Sequence, residues 1–334
     1  MLSILTYHRI VDPATAHDVH PGLASATHEE SARQVDFLAR RYRPVSAADV
    51  LRARRSEATL PRRAALVTFD DGYRDFREVA WPILRARGVP ALLFVPTAYP
   101  SHDERRFWWD RLHRAVTRCE AAEVVTPLGS LSLRSREERR KTQRRLEAHL
   151  KSLPHDAAMA FLEVVLARLG EPPDAIVPGP RAAGEVLGWQ ELRELAGEGV
   201  TLAPHSRWHP LLTRCTEARI RDEVRGARED LRRELGDVPP IFSYPDGAHD
   251  ARVRRVLREE GFEVAVTQDD GQNDLRTADP LRLCRTDVTR RTTLPVLRLR
   301  LQPWFARVDR LRHRTRLRQR VAVGTDLQPS AEES

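Results

Sequence analysis

The sequence has few cysteines and no long apolar segment. Its 334 residues include three cysteines, Cys119, Cys215 and Cys284, which are far apart in the chain. An odd number at these spacings excludes a disulfide framework and a Cys-x-x-Cys metal site, and it favours a reducing compartment. No apolar stretch reaches the roughly 18 residues that a membrane-spanning helix requires. These absences predict a protein without disulfides and without a transmembrane helix.

The first residues lack the features of a secretory signal peptide. Residues 1–8 contain neither a basic segment nor a small-residue cleavage site. Their apolar character predicts a first strand instead, and the sequence therefore predicts a cytoplasmic protein.

The positive charge of the chain is concentrated near its end. The formal net charge is +8, and residues 298–320 hold nine arginines and one aspartate, so the rest of the chain is close to neutral. The sequence contains no nucleic-acid-binding module, which argues against a specific nucleic-acid partner. We expect residues 296–334 to form a basic tail. This tail either contacts an anionic surface, such as the inner face of a membrane, or is a solvated helix or frayed end.

Short apolar runs alternate with amphipathic helical patterns along most of the chain, which predicts an α/β fold with parallel strands. The pattern does not distinguish a doubly wound sheet from a barrel. Residues of about 101–185 depart from it and predict a helical insertion between two strands. The predicted strands are Leu2–Tyr7, Ala64–Phe69, Ala91–Val95, Val200–Ala203, Ile241–Tyr244, Phe262–Thr267 and Leu281–Cys284.

Two adjacent aspartates follow the predicted strand Ala64–Phe69. Asp70 and Asp71 are poor strand formers, and Gly72 allows a sharp turn directly after them. The segment is therefore either a simple turn or a pair of acids presented at the rim of an α/β fold. Adjacent residues of a strand point in opposite directions, so both acids reach one site only if the chain bends here.

A pair of histidines follows another predicted strand. His205 and His209 are four residues apart, a spacing that lets two imidazoles bind one ion, although such a pair also arises by chance. One carboxylate and two imidazoles form a three-ligand set that leaves a position for water on Zn²⁺ or a similar ion. Considered together, the two segments predict a metal site at one rim of the sheet.

Three motifs of this sequence resemble those of a known family. Thr68–Gly72 and His205–His209 are similar to the first two motifs of the polysaccharide deacetylases, which are carbohydrate esterase family four. Phe242–Gly247 resembles a variant of their third motif, and the three occur in the family's order. The resemblance covers about residues 1–100 and 185–290. It implies a distorted, incomplete (β/α) barrel of about seven strands, with residues 1–295 as the catalytic domain.

The resemblance also implies a reaction and a metal. The chain would be a hydrolase that removes N-acetyl groups from amino sugars in a polysaccharide, oligosaccharide or lipid-linked saccharide. Asp71, His205 and His209 would bind a divalent ion, expected to be Zn²⁺, which lowers the pKa of bound water towards about 7. Asp70 would be the general base.

Three further catalytic residues are implied with departures from the family pattern. The segment at Tyr244 resembles the one that supplies a backbone N–H to the oxyanion. In the family a late motif usually carries the histidine that acts as the general acid. The matching segment here is Arg282–Asp287, which contains no histidine. Some family members place this histidine on the first strand, so His8 is expected to be the general acid. Arg285 is expected to replace the arginine of the third motif, which orients the base.

Two other functions remain compatible with the sequence. One is hydrolysis of a small amide or cyclic ureide by the same metal and base. The other is glycan binding without catalysis, although binding alone requires no paired base and metal set. The aromatic residues Phe107, Trp108 and Trp109 either stack on sugar rings or form the core of the insertion.

Overall fold

The computed structural model describes residues 1–12, 19–102, 106–171, 186–302 and residue 305. Strands and helices alternate along most of this part of the chain. In chain order the strands are β1 (Leu2–Tyr7), β2 (Arg9–Ile10), β3 (Ala24–Ala26), β4 (Arg43–Pro44), β5 (Ala64–Phe69), β6 (Ala91–Val95), β7 (Glu123–Thr126), β8 (Gly129–Ser132), β9 (Thr201–Pro204), β10 (Ile241–Ser243), β11 (Val264–Asp270) and β12 (Leu283–Asp287). The helices are α1 (His28–Arg41), α2 (Ala47–Arg54), α3 (Trp81–Arg85), α4 (Trp108–Arg118), α5 (Arg136–Ser152), α6 (His155–Arg168), α7 (Trp189–Gly197), α8 (Glu217–Leu235), α9 (Ala251–Glu259) and α10 (Leu294–Arg300).

Seven parallel strands form a nearly closed barrel. They pair in the order β10-β11-β12-β1-β5-β6-β9, and the short strand β4 pairs with the first residues of β5. The strands β9 and β10 are the two edges, and Nδ1 of His205 donates to the carbonyl of Ser243 across the gap at 2.8 Å. The predicted incomplete (β/α) barrel of about seven strands is confirmed.

Alternate residues of the strands fill the barrel. One buried apolar cluster receives a side chain from each of the seven strands, including Ile4, Leu66 and Phe94. A second cluster joins the opposite faces of several strands to the surrounding helices. Because side chains alternate along a strand, the positions that continue the inward set past the strand ends face the open rim of the barrel.

The ends of the helices follow the capping signals in the sequence. Thr27 accepts a hydrogen bond from the Glu30 N–H and begins α1, and Ser46 forms a capping box with Asp49 at the start of α2. The segment before α3 is less regular, since a π-helical turn at residues 76–80 precedes this helix. No helix in the described ranges is both long and apolar enough to cross a bilayer.

The predicted insertion lies between β6 and β9. Its described part contains the helices α4, α5 and α6, which pack around an apolar cluster of their own. It also contains an antiparallel hairpin of β7 and β8, which the sequence analysis did not predict. Residues 103–105 and 172–185 of the predicted insertion lie outside the described residues.

The predicted domain boundary after residue 295 is placed too early, because it falls inside α10. Leu297 of this helix is completely buried in the same cluster as residues of α1. The Tyr42 hydroxyl and the Gln272 side-chain amide both donate to the carbonyl of Leu301, at 3.1 and 2.7 Å. The barrel domain therefore extends to about residue 302. Residues 306–334 of the basic tail lie outside the described residues, and their membrane contact stays a prediction.

Replacing Leu297 with alanine tests this extension of the domain. We expect Leu297→Ala to lower the free energy of unfolding by about 2–4 kcal/mol, because the substitution leaves a cavity in the core. Leu299→Ala is the matched control on the same helix, since Leu299 is 44% exposed, and should change stability by less than about 0.5 kcal/mol. Chemical denaturation measures both. Equal, small effects would show that α10 does not belong to the folded domain.

Candidate metal centre

The two adjacent aspartates reach the same side of the chain because the backbone bends between them. Asp70 follows β5 in the inward register of Leu66 and Thr68. Asp71 has a φ of 72° and Gly72 a φ of 66°. Two successive residues in the left-handed region break the alternation, so the Asp71 side chain does not point out of the barrel. A side chain in this region is strained, and such strain is concentrated at functional sites.

His205 is oriented by the neighbouring strand. It continues the inward register of β9, and its Nδ1 lies 2.8 Å from the carbonyl oxygen of Ser243. Because a carbonyl oxygen only accepts, Nδ1 carries the proton and Nε2 presents its lone pair to the site. Metal-binding histidines commonly have this kind of backbone partner on the other ring nitrogen.

The loop that carries His209 is held by buried side chains. Ser206 has a φ of 60° and its Oγ accepts the N–H of His209 at 3.0 Å, while His209 itself has a φ of 54°. The buried carboxylate of Glu223, on α8, accepts the backbone N–H groups of Arg207 and Trp208 at 2.9 and 2.8 Å. The loop therefore has a defined shape that returns His209 to His205.

Asp71, His205 and His209 present three ligand atoms to one point. The Nε2 atoms of the two histidines are 3.2 Å apart, and Asp71 Oδ1 lies 3.4 Å from Nε2 of His209 and 3.7 Å from Nε2 of His205. Ligands about 2.0–2.1 Å from a tetrahedral zinc ion are roughly 3.3 Å apart. Asp71 Oδ1 is buried and has no hydrogen-bond partner among the described residues. The donor set, its spacing and this buried oxygen fit a divalent cation.

The charge states of the three residues also fit a cation. Burial lowers the pKa of His205 to about 4 and that of His209 well below its usual value, so both imidazoles are neutral, as metal ligands must be. Burial and the neighbouring Asp70 and Asp110 carboxylates raise the pKa of Asp71 well above its usual value. A bound cation would compensate the negative charge of Asp71.

Asp70 has a different partner. Its two oxygens accept hydrogen bonds from the two terminal nitrogens of Arg285 at 2.8 and 2.6 Å, and both side chains are fully buried. Nε of Arg285 donates to the carbonyl of Thr267. Burial alone would raise the pKa of Asp70, but the Arg285 guanidinium and the His205 imidazole hold it well below its usual value. The structure thus brings Arg285 against Asp70, and its role in orienting the base stays a prediction.

His8 lies beside Asp70 on the adjacent strand. The N–H of Asp70 donates to the carbonyl of Tyr7 at 3.0 Å, so the end of β5 is joined to the end of β1. His8 continues the inward register of β1, is half-buried, and contributes electrostatically to the pKa values of Asp70 and His205. Its position is compatible with a general acid, and this role stays a prediction.

The prediction for Tyr244 is wrong as regards its own N–H. That group already donates to the carbonyl of Val266 in the strand ladder, at 3.2 Å. The Tyr244 hydroxyl donates to the carbonyl of Leu281, and the ring is completely buried in an apolar cluster. Pro245 has no N–H, so the next backbone donor of this loop belongs to Asp246. Tyr244 is a core residue that closes the loop.

The aromatic residues at the start of the insertion lie partly in its core and partly at a cavity. Phe107 and Trp109 are buried and stacked, with ring centroids 4.5 Å apart, as the core interpretation predicts. The Trp109 ring also packs against His209, with centroids 4.7 Å apart. Trp108 is half-buried and faces a cavity, where a ligand can reach it. One helix of the insertion therefore supports a metal-type ligand and also lines open space.

A buried polar network lies behind Trp109. The Tyr73 hydroxyl donates to Asp110 at 2.6 Å and accepts the indole N–H of Trp109 at 2.9 Å. The Arg9 guanidinium lies over the Tyr73 ring, 4.3 Å from its centroid, and forms an ion pair with Asp75 at 2.8 Å. This network is not evident in the sequence, because its members come from β2, the turn after β5 and the insertion. The roles of Ser243 and Glu223 are not evident either, since they depend on contacts between distant segments.

The chain is similar to known deacetylases in sequence and in fold. The sequence model of the family described as polysaccharide deacetylase matches residues 57–265, more than half of the chain. Two curated relatives are the poly-beta-1,6-N-acetyl-D-glucosamine N-deacetylases of Escherichia coli strains K12 and O157:H7. Each is 34% identical over 88 residues, which are 26% of this chain and 13% of the relative. The match thus spans a small part of those longer proteins.

Solved structures share the fold over most of the chain. The deacetylase PplD of Streptococcus pyogenes, in complex with acetate, has a TM-score of 0.60 and 15% identity, covering 90% of this chain and 98% of that one. The IcaB protein of Ammonifex degensii has a TM-score of 0.57 and 19% identity, covering 90% and 97%. At these identities the likeness establishes the fold.

Removing the two histidines tests the metal centre. After incubation with Zn²⁺ and removal of excess ion, we expect about one divalent ion per wild-type chain and none in His205→Ala/His209→Ala, because the double variant retains one ligand of three. Elemental analysis measures the ion, and circular dichroism verifies folding. His28→Ala, which removes an exposed histidine, should keep the ion. A wild-type chain that binds no ion would contradict the site.

Proposed function

The chain belongs to the polysaccharide deacetylase family, and from this membership we propose that it is a metal-dependent hydrolase that removes N-acetyl groups from amino sugars of a glycan. The convergence of Asp71, His205 and His209 on one point, with the ionised Asp70 beside them, carries the proposal. This arrangement combines a cation site with a separate proton acceptor, which is what hydrolysis of an unactivated amide requires.

Each residue has a distinct task in the proposed reaction. Asp71, His205 and His209 would hold the divalent ion, proposed to be Zn²⁺. When bound, the ion would make water a nucleophile at neutral pH and polarise the acetyl carbonyl. Asp70 accepts the proton of the attacking water, and the two-point contact with Arg285 keeps its carboxylate ionised and fixed in direction.

The departing amine needs a proton, and His8 is proposed to donate it. An unprotonated amide nitrogen is a poor leaving group, so a general acid typically accelerates this step by about 10²–10⁴. His8 lies at the rim next to Asp70 and is only half-buried, so it can exchange protons with solvent. The base and the acid thus follow adjacent parallel strands, β5 and β1.

An acetylated amino sugar in a polysaccharide, oligosaccharide or lipid-linked saccharide is the proposed substrate. The name of the Escherichia coli relatives supports an N-acetylglucosamine polymer for those proteins, and the matched 88 residues support the same sugar here. The site adjoins a cavity of about 600 Å³ that includes His209 in its lining. This volume favours a glycan over a small amide or cyclic ureide.

Substrates with different leaving groups test the proposal. The Zn²⁺-loaded protein should release acetate from acetylated chitooligosaccharides, and Asp70→Asn should slow this by about 10²–10⁴ because the base is lost. His8→Gln should slow the amide by a similar factor but leave 4-nitrophenyl acetate nearly unaffected, since nitrophenolate departs without a proton. Acetate and nitrophenol assays measure both, with His28→Ala as a control.

The absence of acetate release from every acetylated glycan would contradict the proposed activity. Equal losses on the amide and the ester in His8→Gln would instead assign His8 to a structural role. Elemental analysis of each variant should show that the metal is retained, so that a loss of activity is not caused by loss of the ion.

We also propose that the arginines beyond residue 305 hold the protein at an anionic membrane surface on the cytoplasmic side. The chain contains seven arginines between residues 306 and 334, and each basic residue near such a surface contributes about 1 kcal/mol at low salt. A chain ending at residue 305 should lose binding to phosphatidylserine vesicles in sedimentation assays, as should a full chain with these arginines changed to glutamine. Equal binding by all three chains would exclude this role.

A further inference from the structure

A cavity of about 600 Å³ separates the insertion from the barrel loops. Its floor contains apolar side chains of α5 and α6, including Leu150 and Leu162, and its opposite wall is the loop of residues 208–214. The ring of His209 borders it, so a molecule in the cavity is next to the metal centre. A glycan whose acetyl group is at the metal centre would extend into this space.

Two indole rings of the cavity are suited to sugar rings. Trp108, from α4, and Trp208, from the loop that carries His209, are both half-buried and both line the cavity. Trp208 is held by aromatic contacts with Tyr99 and His102, with centroids 5.9 and 5.5 Å away. Rings that are fixed in this way lose little conformational entropy when a ligand packs on them.

The charged residues of the lining are almost all positive. They come from both walls. The helices α4 and α5 supply some of them, and the loop that carries His209 and the start of α8 supply others. Because distant parts of the chain bring cations to one cavity, their convergence is not the surface pattern of a single helix. The cations are Arg106, Arg111, Arg114, Lys151, Arg214 and Arg219, and the carboxylate among the described lining residues is Glu163.

Several of these cations also have carboxylate partners, which limits the excess of positive charge. Glu163 pairs with Arg111 inside the lining, and Lys151 pairs with Asp246 at its edge. Arg214 is exposed, and no ion pair joins it to another described residue.

Arg114 adds a buried guanidinium group to the lining of the cavity. It is 3% exposed and pairs with Glu171.

We propose that this cavity binds an anionic group, phosphate or carboxylate, of the glycan that is deacetylated, so that the preferred substrate is a negatively charged saccharide. The inference rests on the proposed function and adds the charge of the substrate to it. The indoles receive the sugar ring next to the acetylated residue, and the guanidinium groups of the two walls receive the anion. Cations that outnumber carboxylates in the lining of a cavity raise the local concentration of anions there.

Three matched trisaccharides test the inference. They are neutral triacetylchitotriose, the same trisaccharide with a phosphate ester at the reducing end, and one that ends in a uronic acid. Acetate release gives kcat/KM for each at low and high salt. We expect the wild type to prefer at least one anionic form by about tenfold, and salt to weaken this preference.

Two double variants locate the effect. Arg214→Gln/Lys151→Gln removes one cation from each wall and should abolish the preference, so that the ratio of anionic to neutral kcat/KM falls about tenfold. Arg140→Gln/Arg144→Gln removes two exposed charges of α5 outside the cavity lining and should keep the wild-type ratio.

The outcomes separate this inference from the proposed function. Acetate release with equal kcat/KM for all three substrates would overturn the inference and leave the deacetylase intact. A preference that persists in Arg214→Gln/Lys151→Gln would exclude this cavity as its origin. A preference for only the phosphate or only the uronate would identify which anion the cavity receives.

If no trisaccharide releases acetate, the proposed function fails, and binding decides the inference. Titration calorimetry then gives the dissociation constants of the same three saccharides with the Zn²⁺-loaded chain. Tighter binding of an anionic form by about tenfold, lost in Arg214→Gln/Lys151→Gln, would support the cavity as an anionic-saccharide site. Equal constants would overturn it.

Discussion

Arg285 brings one positive charge into a place where two carboxylates are buried side by side. Two adjacent acids in a site of low dielectric do not both ionise readily, because each raises the pKa of the other. The Arg285 guanidinium donates hydrogen bonds to Asp70, at 2.8 and 2.6 Å, and burial together with Asp70 still raises the pKa of Asp71 well above its usual value. Asp71 faces two neutral imidazoles, and a divalent ion would favour its ionised form. Loss of one partner of such a buried pair typically costs about 3–5 kcal/mol, so the base and the metal centre depend on the same contact.

Strand alternation explains how much of the site could be predicted. His8, Asp70 and His205 occupy inward positions directly after the ends of β1, β5 and β9, and Arg285 occupies an inward position within β12. The carboxyl ends of such parallel strands meet at one rim. The sequence displays both the apolar runs and the polar residues that follow them, so their meeting is foreseeable. The bend at Asp71 is foreseeable only in part, since Gly72 indicated a turn but the left-handed φ of Asp71 itself did not follow from the pattern.

Other features depend on contacts that one sequence does not display. The N–H of Tyr244 resembles a free loop donor in the motif, but the register of β10 with β11 assigns it to Val266. The concentration of arginines predicts a basic tail from residue 296, although Leu297 of α10 lies in the core. Trp109 was correctly placed among core candidates, but no periodicity indicates that this core includes His209.

The contact of Trp109 with His209 couples two parts of the molecule that lie far apart in the chain. Trp109 of the insertion packs against His209, one of the three candidate metal ligands. The Tyr73–Asp110 hydrogen bond joins the first helix of the insertion to the turn that carries Asp71. Thermodynamic linkage is reciprocal. If the docked insertion strengthens ion binding by some free energy, a bound ion stabilises the docked insertion by the same free energy. A bound ion would then stabilise the packing of the insertion against the barrel. Local opening of α4, and with it the wall of the adjacent cavity, would become rarer as the free ion concentration rises.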